Sequence, residues 1–497
     1  MTGGGPIVLT MNRRTFIHAA GAAGLSLTSR LGVGATDSAV AGLLQLLEDS
    51  PRELIPHELV RLIRGGLRYE DLLSALALAA VRNVQPYPDV GYKYHSVMVL
   101  RSIHLTTQHL SSSDKWLPIA WAADYFKETQ AEERGIDGWR MPPRSAASAG
   151  SAQAARRAMI RALDNWDRDA ADAAIVDYLQ LSPPEEILSL LFRYGARDLR
   201  AIGHKATTVG NAHYLIELLG SAQAGPLLRS TVAALQNSDR DPNPARHDLA
   251  PDQPWRRNLQ RLREIPRNWK QGRNDPGARA ELHAALYRVS EYESGTMVIA
   301  LLRQSLSPEA IWQVLFDTAA ELLMHETGIL TLHAQTTANA LYYAYRVCGD
   351  EQTQQLALLQ GAAFMAMFRK LVNTSPPDIR LEALQPLALE STAVDAIDEI
   401  FAEVSAGRRL HAARKSLSYL QTGGDAEALI ASARHHLVYQ ADEPHDYKFS
   451  EAVFDSYAQS SNSDWRYRFL SAGMAYFKAP AKRPGPVVEH MLERLKS

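Results

Sequence analysis

Apolar residues recur at spacings of three and four along most of the chain. The pattern is clear between residues 59 and 63 and again between residues 72 and 78. Few stretches alternate with period two, and Ala and Leu dominate over β-branched residues. A period near 3.6 residues is typical of amphipathic helices, and Ala and Leu are strong helix formers. The sequence therefore predicts an all-α fold.

Stretches rich in Pro, Gly, Ser and Asp interrupt this helical pattern. They lie at residues 141–155, 237–254 and 375–386, and such compositions favour loops. The loops and the ends of the chain delimit four predicted helical units, which we expect to form one compact domain. The units are residues 36–140, 156–236, 255–374 and 387–497.

Two segments of the chain resemble each other without a gap. Residues 204–220 and 333–349 both begin with His, carry Thr-Thr at the fourth and fifth positions, and end with Gly. Upstream of each segment, a Ser-Pro sequence at Ser182 or Ser307 predicts the start of a helix. A repeated unit of two helices, the second opened by the histidine, explains the match.

Fainter copies of the unit bracket these two. A Ser-Pro start at Ser50 precedes His95, and an Asp at position 425 opens a helix that precedes His445. The four histidines that open helices are about 110 to 130 residues apart. The sequence therefore predicts an array or bundle of about four helix-pair units with internal pseudo-repeats.

The composition excludes several kinds of cofactor, partner and enzyme. The single cysteine, Cys348, excludes intrachain disulfides, thiolate-held iron–sulfur clusters and CxxCH haem attachment, whereas the chain has 16 histidines. A net charge of −2 gives no electrostatic footprint for nucleic acid. Nucleophile-elbow, P-loop and dinucleotide-binding motifs do not occur in the chain.

Four units packed around one axis would bring their opening histidines together. Helical bundles commonly hold metals in this way, and imidazole suits iron, copper and zinc. The sequence predicts a metal site at the four anchors, whose ion is iron, copper or zinc. These anchors are His95, His204, His333 and His445.

Polar neighbours of the anchors are candidates for acid–base chemistry. Tyr94, Lys205 and Asp446 each lie next to an anchor and are predicted as catalytic or supporting groups, and Tyr447-Lys448 places a phenol and an amine nearby. A histidine on a helix can also be a purely structural residue, so structural histidines remain an open alternative.

The amino-terminal segment resembles an export signal. Residues 12–17, Asn-Arg-Arg-Thr-Phe-Ile, match the bacterial twin-arginine pattern, and a weakly apolar stretch precedes a small-residue cleavage site at 33–35. We predict a signal peptide at residues 1–35, recognition by the twin-arginine (Tat) export machinery, and a periplasmic or secreted protein. The mature chain has no predicted integral membrane segment.

Two histidine-bearing segments carry a resemblance to known families. Residues 91–95 and 203–206 resemble a family of Tat-exported, all-helical bacterial proteins without an assigned activity. The spacing of the helix-opening histidines resembles that of the questin oxidase-like proteins. That resemblance implies cofactor-poor oxidative opening of polyketide rings.

Together these observations predict a metal-dependent, oxygenase-like oxidoreductase that acts on a small aromatic or polyketide-like molecule in the periplasm. Two alternatives remain open at this point. One is a non-enzymatic helical-repeat protein that binds or scaffolds a partner and has structural histidines. The other is a metal-activated hydrolase.

Overall fold

The computed structural model describes residues 33–496, apart from 89, 137, 145–149, 373–378, 392–394, 461 and 481–482. The described residues are mostly helical, and no β-sheet forms among them. The all-α prediction is confirmed. Most of the predicted signal peptide lies outside the described residues, so export stays a prediction.

The helices are numbered here in chain order. The first eleven are α1 Val33–Asp49, α2 Ile55–Arg64, α3 Tyr69–Asn83, α4 His95–Met98, α5 Leu100–Thr107, α6 Trp116–Ile136, α7 Ala152–Asp164, α8 Arg168–Leu181, α9 Pro184–Gly195, α10 His204–Leu219 and α11 Ala224–Leu235. The others are α12 Gln253–Arg261, α13 Pro276–Leu286, α14 Glu291–Arg303, α15 Pro308–His325, α16 Ile329–Val347, α17 Glu351–Leu371, α18 Ala396–Ser405, α19 Arg409–Gln421, α20 Ala426–Gln440, α21 Pro444–Gln459, α22 Ser463–Ala472 and α23 Pro486–Lys496.

The predicted Ser-Pro helix starts at Ser182 and Ser307 behave differently. Ser307 caps α15, because its side chain accepts a hydrogen bond from the amide of Ala310. Ser182 instead ends α8, since its amide donates to the carbonyl of Tyr178, and Pro183 takes the N-cap position of α9. The helix that was predicted to start at Ser182 therefore starts one residue later.

Four helical segments form a closed ring, which we call the central bundle. It consists of α4 and α5 together, α10, α16 and α21, and each segment packs against the next, with α21 returning to α5. The break between α4 and α5 is limited to Val99, whose backbone stays right-handed helical. One hydrophobic core lies mainly among α1–α11, and a second mainly among α12–α22. Both cores include apolar side chains of the central bundle.

Helices α15 and α17 approach each other closely at Gly361. A Cβ atom at this position would lie 2.9 Å from the Cδ1 atom of Leu315. Only glycine therefore fits the contact without a shift of its neighbours.

No described helix has the length and apolarity needed to cross a membrane. The boundaries of the four units and their pseudo-repeat relationship stay predictions. What the structure adds is the position of the four anchors in one closed bundle.

Candidate metal centre

The structure brings the four predicted histidines together at one end of the central bundle. His95 and His204 are the first residues of α4 and α10, and His445 is the second residue of α21. His333 lies one turn inside α16. All four are buried, with 9% or less of each residue exposed. We call this group the four-histidine cluster.

The rings of the cluster contact one another in chain order. The ring centroids are 4.7 Å apart for His95 and His204, 4.7 Å for His204 and His333, 4.9 Å for His333 and His445, and 4.4 Å for His445 and His95. One nitrogen from each ring can be chosen so that all four lie within 4.8 Å of one another. The cluster therefore surrounds a single centre.

Backbone carbonyls orient two of the rings. The Nδ1 atom of His95 lies 3.0 Å from the carbonyl oxygens of both Gly91 and Tyr92, and Nδ1 of His333 lies 2.6 Å from that of Ile329. A carbonyl oxygen only accepts, so Nδ1 carries the proton in each ring and Nε2 carries the lone pair. Metal-ligating histidines are typically oriented by such a hydrogen bond on the other nitrogen.

A carboxylate orients the third ring. The Oε2 atom of Glu443 accepts a hydrogen bond from Nδ1 of His445 at 3.1 Å, and its Oε1 atom accepts one from the hydroxyl of Tyr476 at 2.8 Å. The donated hydrogen bonds, led by that from His445, lower the pKa of Glu443. The carboxylate is therefore ionised at neutral pH and favours a lone pair on Nε2 of His445.

His204 differs from the other three. Its Nε2 atom lies 2.9 Å from Nε2 of His333, and because the latter carries a lone pair, His204 is the donor. Its Nδ1 atom is buried and has no hydrogen-bond partner among the described residues, and the same holds for Nε2 of His95 and of His445. Buried nitrogens rarely stay unpaired, and a metal ion at the centre of the cluster would take up the lone pairs of His95 and His445.

The protonation state of the cluster also suits a metal. Burial is the main cause that lowers the pKa of all four histidines, well below the usual value for His95, His204 and His333. The nearby amine of Lys448 lowers each of them further. The rings are therefore neutral at pH 7, and neutral imidazole is the form that binds metals.

A narrow cavity lies inside the central bundle, about one helical turn beyond the four histidines, which are not among its lining residues. About 30 Å³ of it is open to the centre of a water molecule. Its walls include the residues three positions after each histidine, which share the histidine's face of the helix. These residues are Met98, Thr207, Thr336 and Lys448. Lys448 is buried with no hydrogen-bond partner for Nζ among the described residues, and burial lowers its pKa to about 7.

Two of the predicted catalytic groups have partners away from the cluster. The hydroxyl of Tyr94 is buried and lies 2.7 Å from Oγ of Ser230. The Nζ atom of Lys205 donates to both carboxylate oxygens of Asp198 at 2.9–3.0 Å and to the carbonyl of Asn237 at 2.6 Å. Lys205 thus belongs to a buried ion pair, and the catalytic roles of both residues stay predictions.

The third predicted group, Asp446, caps its own helix. Its Oδ2 atom accepts hydrogen bonds from the amides of Asp442 and Glu443 at 3.1 and 3.2 Å and lies 2.9 Å from Nζ of Lys478. Burial raises its pKa to about 7. These contacts stabilise the start of α21, which carries His445, and the acid–base role of Asp446 is untested.

Comparisons of the chain with protein-family models, curated proteins and solved structures found no match. Function is therefore inferred from the geometry of the site.

Sequence reasoning missed one residue that contacts the cluster. Glu443 immediately precedes Pro444 at the start of α21, and its side chain takes part in a capping box with Asp446. An acid before Pro is a helix-start signal that could have been read from the sequence. Its second role, holding the ring of His445, depends on the folded geometry.

Proposed function

We propose that the chain is a metal-dependent oxidoreductase whose metal is held by the four-histidine cluster. The observation that carries this proposal is the convergence of four buried, neutral imidazoles on one centre. Hydrogen bonds on Nδ1 leave three of the rings with a lone pair on Nε2. Such preorganisation is typical of metal ligands.

The donor set suits iron, copper or zinc, and of these zinc is redox-inactive. Imidazole suits all three ions, and metal–nitrogen bonds of about 2.1 Å in a tetrahedral site place the ligand atoms about 3.4 Å apart. The ligand atoms of the cluster lie within 4.8 Å of one another, so the most distant pair would need to approach by up to about 1.4 Å. An iron or copper ion would supply electron transfer to or from a bound small molecule.

The cavity suits a small co-substrate. Its 30 Å³ correspond to about two water molecules, which is room for dioxygen or a molecule of similar size. The amine of Lys448 lines the cavity and can accept or hold a proton at Nζ, because its pKa is lowered to about 7. We propose that a small oxidant enters this cavity and that an organic substrate reacts at its mouth.

The organic substrate follows from the resemblance stated above rather than from the cavity. A small aromatic or polyketide-like molecule in the periplasm is the substrate class that the questin oxidase-like spacing implies. We propose that the protein acts on this class of molecule and is exported through the twin-arginine route.

One observation favours a second candidate, a non-enzymatic binding or scaffold protein. The hydrogen bond between Nε2 of His204 and Nε2 of His333 gives these two rings a bonded arrangement without any metal. In such a protein the histidines would be structural and would bind no metal. Replacement of His204 and His333 would therefore leave the metal content of the chain unchanged.

Metal analysis and a dioxygen surrogate distinguish these functions. The purified chain is compared with a double variant, His204→Ala/His333→Ala, for bound iron, copper and zinc. The iron(II)-loaded chain is then exposed to nitric oxide and followed by electron paramagnetic resonance. The proposal predicts one metal per chain, its loss in the variant, and a nitric oxide signal only in the unmodified chain.

Other outcomes contradict the oxidoreductase. A metal-free chain that folds as well as its variant supports the binding protein. A chain that retains zinc and rejects iron and copper supports the metal-activated hydrolase or a structural zinc site. Iron that is bound without a nitric oxide signal shows that the cavity does not give a small oxidant access to the metal.

A further inference from the structure

The backbone immediately before His204 adopts an unusual conformation. Ala201, Ile202 and Gly203 are three consecutive left-handed residues, with φ values of 51°, 42° and 87°. Glycine tolerates this region, but alanine and above all a β-branched isoleucine do not. Each such residue costs about 1–3 kcal/mol and persists only where the surrounding structure enforces it.

Helix α16 enforces this turn from one side. The hydroxyl of Thr337 donates a hydrogen bond to the carbonyl of Ile202 at 3.0 Å. Thr337 also lies directly against Gly203, where a Cβ atom would come within 2.0 Å of its Oγ1. Thr337 is four residues after His333 and so shares its face of α16. Helix α16 therefore carries His333 and also holds the turn that precedes His204.

Buried ion pairs hold the other side of the turn. The guanidinium of Arg200 makes two hydrogen bonds of 2.8 Å to the carboxylate of Asp252 and one of 2.9 Å to Asp241. The amide of Ala201 donates to the carboxylate of Asp239 at 3.2 Å. Bidentate pairs of this kind fix geometry as well as contribute energy.

His204 itself lacks what orients the other three rings. Their Nδ1 atoms are bonded to a carbonyl or a carboxylate, whereas Nδ1 of His204 has no partner among the described residues. Its one hydrogen bond, from Nε2 to Nε2 of His333, lies inside the cluster itself, so outside the cluster the direction of its side chain depends on the backbone at the start of α10. The strained turn sets that backbone.

We infer that the turn at residues 201–203, clamped by Thr337, is a positioning element that holds His204 in register with His333 for a shared metal. Thr337 is a positioning residue, because it acts through the turn and not on the ion. The inference rests on the proposed metal site. It predicts that the strain is used for metal binding and lowers the stability of the metal-free fold.

Cobalt(II) is a suitable probe, because its visible spectrum reports ligand geometry. The dissociation constant is measured by chelator competition for the wild type, Thr337→Val and Thr337→Ser. Removing the hydroxyl should weaken cobalt binding about 10- to 100-fold and alter the visible bands, and serine should restore both. Thr318→Val in α15 is the matched control, since its buried hydroxyl also bonds a backbone carbonyl but lies in another helix.

A second variant separates positioning from stability. Ala201→Gly relieves strain at φ 51°, so the metal-free chain should unfold at an equal or higher urea concentration while cobalt binding weakens. Ser305→Gly relieves a φ of 67° at the end of α14 and should leave cobalt binding unchanged. If the turn were purely structural, Ala201→Gly would change the resistance to urea and the affinity for cobalt in the same direction.

The two failures are distinguishable. If the wild type binds no cobalt, the metal site itself is wrong and the inference falls with it. If the wild type binds cobalt but Thr337→Val and Ala201→Gly bind it equally tightly with the same spectrum, the metal site stands and the positioning role is overturned.

Discussion

Replacement of Glu443 by glutamine isolates the carboxylate that orients His445. Glutamine has nearly the same size as glutamate. Its amide oxygen can still accept the hydrogen bond that Nδ1 of His445 donates to Oε2 of Glu443 at 3.1 Å in the unmodified chain. What is lost is the negative charge. A hydrogen bond to a charged group contributes about 1.5–3 kcal/mol, against about 0.5–1.5 kcal/mol for a neutral one. The difference, about 1.4 kcal/mol, corresponds to about a tenfold loss in metal affinity.

The assay is competition for iron(II) or zinc against a chelator of known affinity. Glu309→Gln is the matched control, because Glu309 accepts from the hydroxyl of Tyr345 at 3.3 Å much as Glu443 accepts from that of Tyr476 at 2.8 Å. We expect about tenfold weaker binding for Glu443→Gln and no change for the control. Equal affinity in both variants, or an equal loss, would refute the role of Glu443 at the cluster.

Three further predictions concern the fold around the site. Burial lowers the pKa of His104 and His213 to about 4, so the unfolded chain binds more protons between about pH 4 and 6.5. The unfolding free energy should therefore fall as the pH drops below 6.5, by up to about 1.4 kcal/mol per pH unit for each histidine, and a flat urea-denaturation profile would contradict this. Lys205→Met removes the ammonium partner of the buried Asp198 carboxylate and leaves it the more distant guanidinium groups of Arg197 and Arg200, at 3.8 and 3.7 Å. It should cost about 1–3 kcal/mol in urea denaturation, and an unchanged unfolding free energy would show that the ion pair is dispensable. Gly361→Ala should cost about 1–3 kcal/mol through overpacking, and an unchanged thermal midpoint would argue against the close approach of α15 and α17.

The helical fold was predictable because period 3.6 is a strong local signal. The convergence of the histidines was predictable for a different reason. Matched placement of His204 and His333 in two similar segments implies equivalent positions in space, and the central bundle places both at one centre. The matched Ser-Pro sequences predicted both helix starts to within one residue, and the displacement at Ser182 arises because that serine still ends α8.

The polar neighbours of the cluster were less predictable, because adjacency in sequence is not adjacency on a helix. Lys205 and Asp446 each follow a histidine by one residue, about 100° around the helix, and they contact other groups. Lys448 follows His445 by three residues and shares its face, so it lines the cavity. Side chains three residues after a helix-opening histidine are therefore the ones placed to act beside it.

Other parts of the site leave no trace in the sequence. The carbonyl of Ile329 orients His333, and any residue type supplies a carbonyl. The left-handed turn at Ala201 and Ile202 occurs at residues that disfavour it, so local propensity predicts the opposite. The contact with Ile329 forms within α16, whereas the turn is held by contacts with Thr337 and Asp252, which are distant in the sequence.

Anomalous X-ray diffraction from crystals of the metal-loaded chain tests the central claim most directly. Data collected on both sides of the absorption edge of the bound ion locate it without reference to the protein atoms. The four-histidine cluster predicts a single peak per chain, about 2.0–2.2 Å from a nitrogen of each of His95, His204, His333 and His445. A peak elsewhere, or a cluster that remains empty in crystals whose chain carries stoichiometric metal, would contradict it.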